Sequence, residues 1–154
     1  MSYFKLIYGI KEIFDADSRV KTITEGDIDD LDAYRQNIPT MVHIVVNSGN
    51  DNINAMEYDV VVSVLDIVSE NNNITTEKFT GNDDRQEVFN RTQNIARRFL
   101  QSFRKQAEAD NIYIVESPSY NKVLDEQTQN RLAGWDLSFT VGVPDLDMDI
   151  CETV

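Results

Sequence analysis

The sequence predicts an α+β fold, a mostly antiparallel sheet with a long helix and an N-terminal helix packed on it. Three observations predict it. Residues 3–14 and about 84–109 carry apolar side chains at helical spacing. Residues 133–143 alternate apolar and small or polar residues without a break. Residues 57–69 are apolar on both faces of a strand, as a central strand covered on both sides requires. A chain of 154 residues fits one domain, 1–154. At that length roughly 70% of the unfolded surface can be buried, so neither a metal nor a disulfide is needed to fold.

The elements follow in order. In residues 3–14, Tyr3, Leu6, Ile7, Ile10, Ile13 and Phe14 make one apolar helix face. Gly9 costs that helix about 1 kcal/mol relative to Ala, which packing must offset. The β-branched RVKTIT, 19–24, reads as a short strand. Residues 25–39 form an acidic loop or short helical turn closed by Pro39. MVHIVVN, 41–47, reads as a strand and 48–52 as a turn. With 57–69 this makes a hairpin. The Asn-rich stretch 69–83 reads as a loop long enough for a contact role. Asp84 with Glu87 resembles a capping box at the start of the long helix. Val88, Thr92, Ile95, Phe99 and Phe103 define its buried stripe, widened by Phe89, Ala96 and Leu100. Residues 111–116 return as a strand, broken at Ser117-Pro118-Ser119. Residues 120–131 fit either a strand and turn or a loop. The last strand presents Ala133, Trp135, Leu137, Phe139, Val141 and Val143 on one face, and Pro144 ends it. The acidic tail 145–154 reads as flexible or engaged in a contact.

Charge narrows the function classes. Lys and Arg number 14 against 27 Asp and Glu, a net charge of −13. Such a chain avoids nucleic acid and anionic membranes unless it carries a local basic patch. One reading is an ordinary acidic soluble protein. The sharper one is a surface that must not hold DNA passing close by. No apolar run approaches the ~20 residues of a membrane span, and the first residues lack the pattern of a signal peptide. A single Cys, Cys151, cannot form an intrachain disulfide. A reducing cytoplasm is the expected place of synthesis.

Candidate chemistry is sparse. His43, between Val42 and Ile44, fits a base or metal ligand, and more often such a residue is packed in a strand. Cys151 lies between acidic neighbours that oppose a reactive thiolate. Asp27, Asp29, Asp30 and Asp32 fall in one loop, and Asp145, Asp147 and Asp149 alternate in the tail. Spaced carboxylates can bind Ca²⁺ or Mg²⁺, but neither cluster has the EF-hand pattern, and solvated loops account for both. No metal or cofactor is expected. Glu57, Asp59 and Asp66 offer an alternative, a small metal-dependent hydrolase or nuclease. No phosphate-binding loop, GxSxG, HExxH or CxxC is present. The basic residues concentrate on the long helix: Arg85, Arg91, Arg97, Arg98, Arg104 and Lys105. Arg91, Arg98 and Lys105 are seven apart and form one stripe. That stripe fits a solvated face, a contact with the acidic loops of a neighbouring copy, or phosphates. The net charge ranks phosphates lowest.

The opening KLIYGIKEIFDADSRVKTITEGDIDDLD, with NIPTMVHIVV, YDVVVSVLDIV and the closing LAGWDLSFTVGVP and DIC, resembles small neck and tail proteins of tailed bacteriophages. The element order is similar to that of tail terminator, or tail-completion, proteins, across nearly the whole chain. The resemblance implies a non-enzymatic virion protein of the neck or tail, made in the host cytoplasm. It implies a homo-oligomeric ring, a hexamer before a dodecamer, between neighbouring neck and tail proteins. The genome would pass through that ring without specific binding, and no membrane is involved. Asp27, Asp29, Asp30, Asp32, Asp145, Asp147 and Asp149 are then candidates for an acidic lumen, or for facing Arg91, Arg98 and Lys105 of the next subunit. A third reading is an acidic module that binds a basic protein.

Overall fold

A computed structural model describes residues 2–26, 40–68, 83–109, 112–114, 117–125 and 132–144. Their order is α1 (Ser2–Asp15), β1 (Thr22–Glu25), β2 (Met41–Asn52), β3 (Ala55–Ile67), α2 (Asp83–Ala109), β4 (Tyr113–Ile114), β5 (Ser119–Asp125) and β6 (Leu132–Pro144). The fold is α+β and its sheet is mostly antiparallel, as the sequence predicts. The strand order is β1-β2-β3-β6, and both β4 and β5 pair with β6. β4 meets β6 at Val141 and Gly142, whereas β5 covers Leu132 to Ser138. The two are therefore successive stretches of one edge, separated around Pro118, which cannot donate to a ladder. Of residues 120–131, which the sequence leaves open between a strand and turn or a loop, 120–125 form a strand together with Ser119. Among the described strands the one parallel pair is β1 with β2.

The hairpin differs from expectation. The polar stretch 48–52, expected as a turn, continues β2, and the chain reverses at residues 53–54. β6 pairs along the whole of β3, from Ala55↔Pro144 to Ile67↔Leu132, which holds the outer half of β3 straight. β2 follows it with one register shift at Asn47. Asn52 then caps the turn, its Oδ1 accepting the Ile53 N–H at 2.9 Å. Tertiary pairing here overrides the turn propensity of Ser-Gly-Asn-Asp-Asn.

One face of the sheet carries both helices. Leu6, Ile10 and Phe14 of α1, at successive turns, are buried to 1% exposure or less. They meet the α2 stripe of Ile95, Ala96, Phe99 and Phe103. Phe99 stacks on Phe14 with ring centroids 4.3 Å apart and packs against Phe103 and Phe139 at 5.5 and 6.1 Å. Beneath lie Val42 and Ile44 of β2, Val60, Val62 and Val64 of β3, and Leu137, Phe139 and Val141 of β6. Each such side chain stabilises the fold by about 1.5–3 kcal/mol relative to an exposed one. The opposite face begins with a smaller apolar group, Met41, Leu65, Leu132 and Val123. The central strand is thus apolar on both faces over part of its length, as its sequence predicts. No described helix is long and apolar enough to cross a membrane. The acidic loop from residue 27, the Asn-rich stretch, the tail and Cys151 lie outside the described residues.

Candidate functional site

The three residues of the basic stripe anticipated on the long helix have different surroundings. Arg91 turns inward: its Nε is 3.1 Å from Asp66 Oδ2, and its Nη2 binds the same oxygen. Asp66, 8% exposed at the end of β3, also accepts from the Thr40 hydroxyl at 3.2 Å. Arg91 therefore ties α2 to the sheet and is largely spent on that contact. Arg98, one turn cycle further on, is exposed beside Asp17 and Arg19. The Asp17 carboxyl is held below the usual carboxylate range by its hydrogen bonds from Arg19, with a smaller contribution from Arg98. Lys105 is exposed near the end of α2.

A second basic group, on a neighbouring stripe, is better placed for a contact. Arg97 and Arg104 are exposed and lie close enough to Tyr120 of β5 to favour its phenolate electrostatically, although burial keeps that phenol above its ordinary range. Next to Tyr120 along β5, Lys122 Nζ stands 5.0 Å from the Phe89 ring centroid and 5.8 Å from that of Trp135. Both distances are within cation–π reach. The Trp135 indole is fixed from behind, its Nε1 donating to the Phe89 carbonyl at 2.8 Å. Tyr120 packs edge-on to the same indole at 6.4 Å. Lys122 thus stands on an aromatic base at β5, with Arg97 and Arg104 within electrostatic reach of the neighbouring Tyr120. Sequence reasoning places Arg97 and Arg104 on the helix but not beside β5, because that pairing rests on register across β6.

The other margin of the sheet carries exposed carboxylates, with the exposed Lys21 just before β1. Glu25 ends β1, exposed, and accepts from the Tyr3 hydroxyl at 3.1 Å. Asp51 projects from exposed outer β2 on the helix-bearing face, in register with Met56. On the opposite face Asp59 accepts from Ser48 at 2.8 Å and Thr140 at 2.7 Å, which lowers its carboxyl below the ordinary range. Glu57 accepts from Asn52 at 3.3 Å.

These positions bear on the alternative metal site. Glu57 and Asp59 project from one face of β3 and Asp66 from the other, seven residues from Asp59 and so about 23 Å along the strand. Each carboxylate serves a hydrogen bond or ion pair, and among the described residues no group of three His, Cys, Asp or Glu converges on one point. Asp27, Asp29, Asp30 and Asp32, with Asp145, Asp147 and Asp149, lie outside the described residues.

The sheet also contains a polar row that the sequence does not reveal. Thr24, His43, Ser63, Asp136 and Asn121 stand in register on five adjacent strands. Thr24 Oγ1 and His43 Nδ1 are 2.7 Å apart, and the Ser63 hydroxyl donates to Asp136 Oδ1 at 2.5 Å. His43 and Ser63 are 1% and 4% exposed, Thr24 and Asp136 are half-buried and Asn121 is exposed, so the row runs from the buried centre of the sheet to its edge. Ser63 gives its proton to a carboxylate, not to the imidazole that a serine nucleophile would need. Burial pushes the Asp136 carboxyl up, while the Ser63 hydrogen bond and His43 oppose that shift. The five residues are scattered through the sequence, and only the register aligns them.

Comparison of the chain with protein-family models and with curated proteins finds no match.

Proposed function

We propose that this chain is a structural virion protein of a tailed bacteriophage, forming a ring at the head–tail junction as a tail terminator or neck ring. The observation that carries the reading is the segregation of charge to opposite margins of one sheet. Lys122, with Arg97 and Arg104 within electrostatic reach of Tyr120, lies toward one margin, and Glu25 and Asp51 lie toward the other. A closed ring is built from head-to-tail contacts, and these require two unlike, mutually complementary surfaces on each copy. The net charge of −13 supports the second half of the reading, a wall that DNA passes without adhering. The resemblance to tail terminators favours a hexamer, with a dodecamer as the other arrangement.

Light scattering of the purified chain, followed by electron microscopy, tests this. A closed ring of six or twelve copies with a central hole is the expected result. A chain that stays monomeric both alone and when mixed with tail-tube and neck proteins overturns it.

A further inference from the structure

Two features run against local preference, and contacts among the described residues explain neither. The first is Ile53. It stands at the two-residue reversal of the β2–β3 hairpin, where Asn, Asp and Gly are favoured, and it is 90% exposed. The reversal adjoins the Ala55↔Pro144 pair, and Asn52 Oδ1 holds the Ile53 N–H. The side chain is therefore presented on a fixed tip, with the exposed Asp51 two residues before it. The second feature is Gly9, inside α1. A Cβ there would meet Gln106 Nε2 at 3.8 Å, an ordinary contact, so no close helix approach requires glycine. Glycine is nonetheless a poor helix former. What Gly9 does is open a groove of about 150 Å³ between α1 and α2, lined also by Leu6, Phe103, Ala107 and Ile112.

We propose that Ile53 of one copy seats in the α1–α2 groove of the next. This rests on the ring reading above and adds an apolar contact to the attraction of the charged margins. Three features favour this occupant. The first is size: an apolar cavity of roughly this volume holds one benzene ring, so the groove accepts one branched aliphatic side chain. The second is position. Ile112 precedes Tyr113, which pairs with Gly142, and the tip lies just past the level of Pro144. Tip and groove are thus at one end of the sheet, within a few residues of the same level. Copies related by rotation about an axis near the strand direction keep that level. The third is charge. Lys5 stands exposed at the groove, whereas the carboxylate that lines it, Glu12, is engaged by the Tyr8 hydroxyl. Asp51 therefore arrives beside a cation. Tip against tip would oppose two Asp51 carboxylates, and groove against groove two Lys5 ammoniums, so the unlike pairing is favoured. Tyr8 and, one turn before it, Phe4 are 54% and 68% exposed and add apolar surface for the tip to cover. A knob and a groove on different parts of one chain make a head-to-tail contact, which a rotation repeats around a closed ring.

The test uses the full chain and the variants Ile53→Ser and Gly9→Leu. Ile53 is exposed and Gly9 is replaced by a better helix former, so circular dichroism is expected to show both folded, with Gly9→Leu at least as heat-resistant as wild type. Light scattering over a concentration series is expected to show assembly weakened about tenfold or more by each. The double variant is expected to be no weaker than the weaker single one, because both remove one contact. Cross-linking adds a positional readout. In a Cys151→Ser background, Ile53→Cys with Gly9→Cys is expected to give a ladder of covalent multimers under mild oxidation, whereas either cysteine alone gives dimers at most. A ring that forms as tightly in both variants as in wild type, with no ladder, overturns the contact and leaves the ring reading standing. Assembly that survives Ile53→Ser but is lost with Gly9→Leu overturns Ile53 as the occupant, since the groove then takes another part of the neighbouring copy. A wild-type chain that stays monomeric at its highest soluble concentration overturns the contact as a self-sufficient association, and the ring reading is then decided by mixing with neck proteins.

Discussion

At Gly134 an added Cβ would stand 1.8 Å from the carbonyl oxygen of Val64 and 2.9 Å from its carbon. Both obstacles are backbone of the central strand, which is itself paired on both sides, so neither can step aside. Gly134→Ala is expected to cost about 3 kcal/mol or more, at the upper end of overpacking penalties. A urea titration showing a loss under 1 kcal/mol would mean that the β3–β6 spacing is more pliant than the register implies. Two pairs further along the same strands, Asp136 makes a pH-dependent contribution. Burial raises its carboxyl above the ordinary carboxylate range, so the folded chain holds this proton to higher pH than the unfolded chain does. Its contribution is complete below the unfolded value of about 4, and it declines as pH rises through the raised folded value. Asp136→Asn keeps an acceptor for Ser63 and removes the ionisation. The variant is expected to match wild type in acid and to become relatively more stable as pH rises to neutrality. Urea midpoints of both proteins across that range check the sign, and a relative loss at neutral pH would show that the ionised carboxylate is the form the row requires. Asp17 works oppositely: its lowered carboxyl stabilises at neutral pH and loses that effect as acid protonates it.

Among the elements, α2 does most to hold the layers together, and through two kinds of contact. Phe99, 2% exposed, joins Phe14 of α1 to Phe139 of β6. Phe99→Ala is expected to destabilise by about 3–5 kcal/mol, read as a lowered urea midpoint at unchanged slope. Arg91 pins the first turns of the same helix to Asp66. With Arg91 itself 40% exposed the ion pair is partly screened, and Arg91→Ala is expected to cost about 1–2 kcal/mol while leaving self-association untouched. Weakened assembly at unchanged stability would return Arg91 to the interface. Most elements were legible because their patterns are long. Phe99, Phe103, Ile95 and Val88 repeat over a helix of 27 residues, and β6 alternates for eleven. The outer hairpin was not legible, because Ser48 to Asn52 carry turn chemistry and become strand only through the pairing of β3 with β6. β5 was ambiguous for a similar reason: its apolar residues are few, and an edge strand needs no continuous apolar face.

At the scale of the whole molecule, the acidic balance was plain from composition, and the concentration of arginines on α2 was plain from the sequence. Their division was not. Residues seven apart share a helix face, but whether that face meets Asp66, Asp17 or Tyr120 depends on how the helix sits across four strands. The same division sets the expected response of assembly to salt. Two electrostatic effects oppose each other. Net charge of −13 repels whole copies, whereas the unlike margins attract. A domain of this length has a radius of gyration of about 15 Å, so the centres of neighbouring copies lie roughly 30 Å apart. The Debye length is about 30 Å at 0.01 M salt and about 8 Å at 0.15 M. Raising salt over that interval removes the long-range repulsion first, and assembly strengthens. Contacts at the margins span a few ångströms and are screened only at higher salt, so assembly is expected to weaken between about 0.15 and 1 M. Light scattering across that series should pass through a maximum at intermediate salt. A continuous rise to 1 M would mean that apolar burial, such as the exposed Phe4 and Tyr8 of α1 could supply, holds the copies together in place of the charged margins.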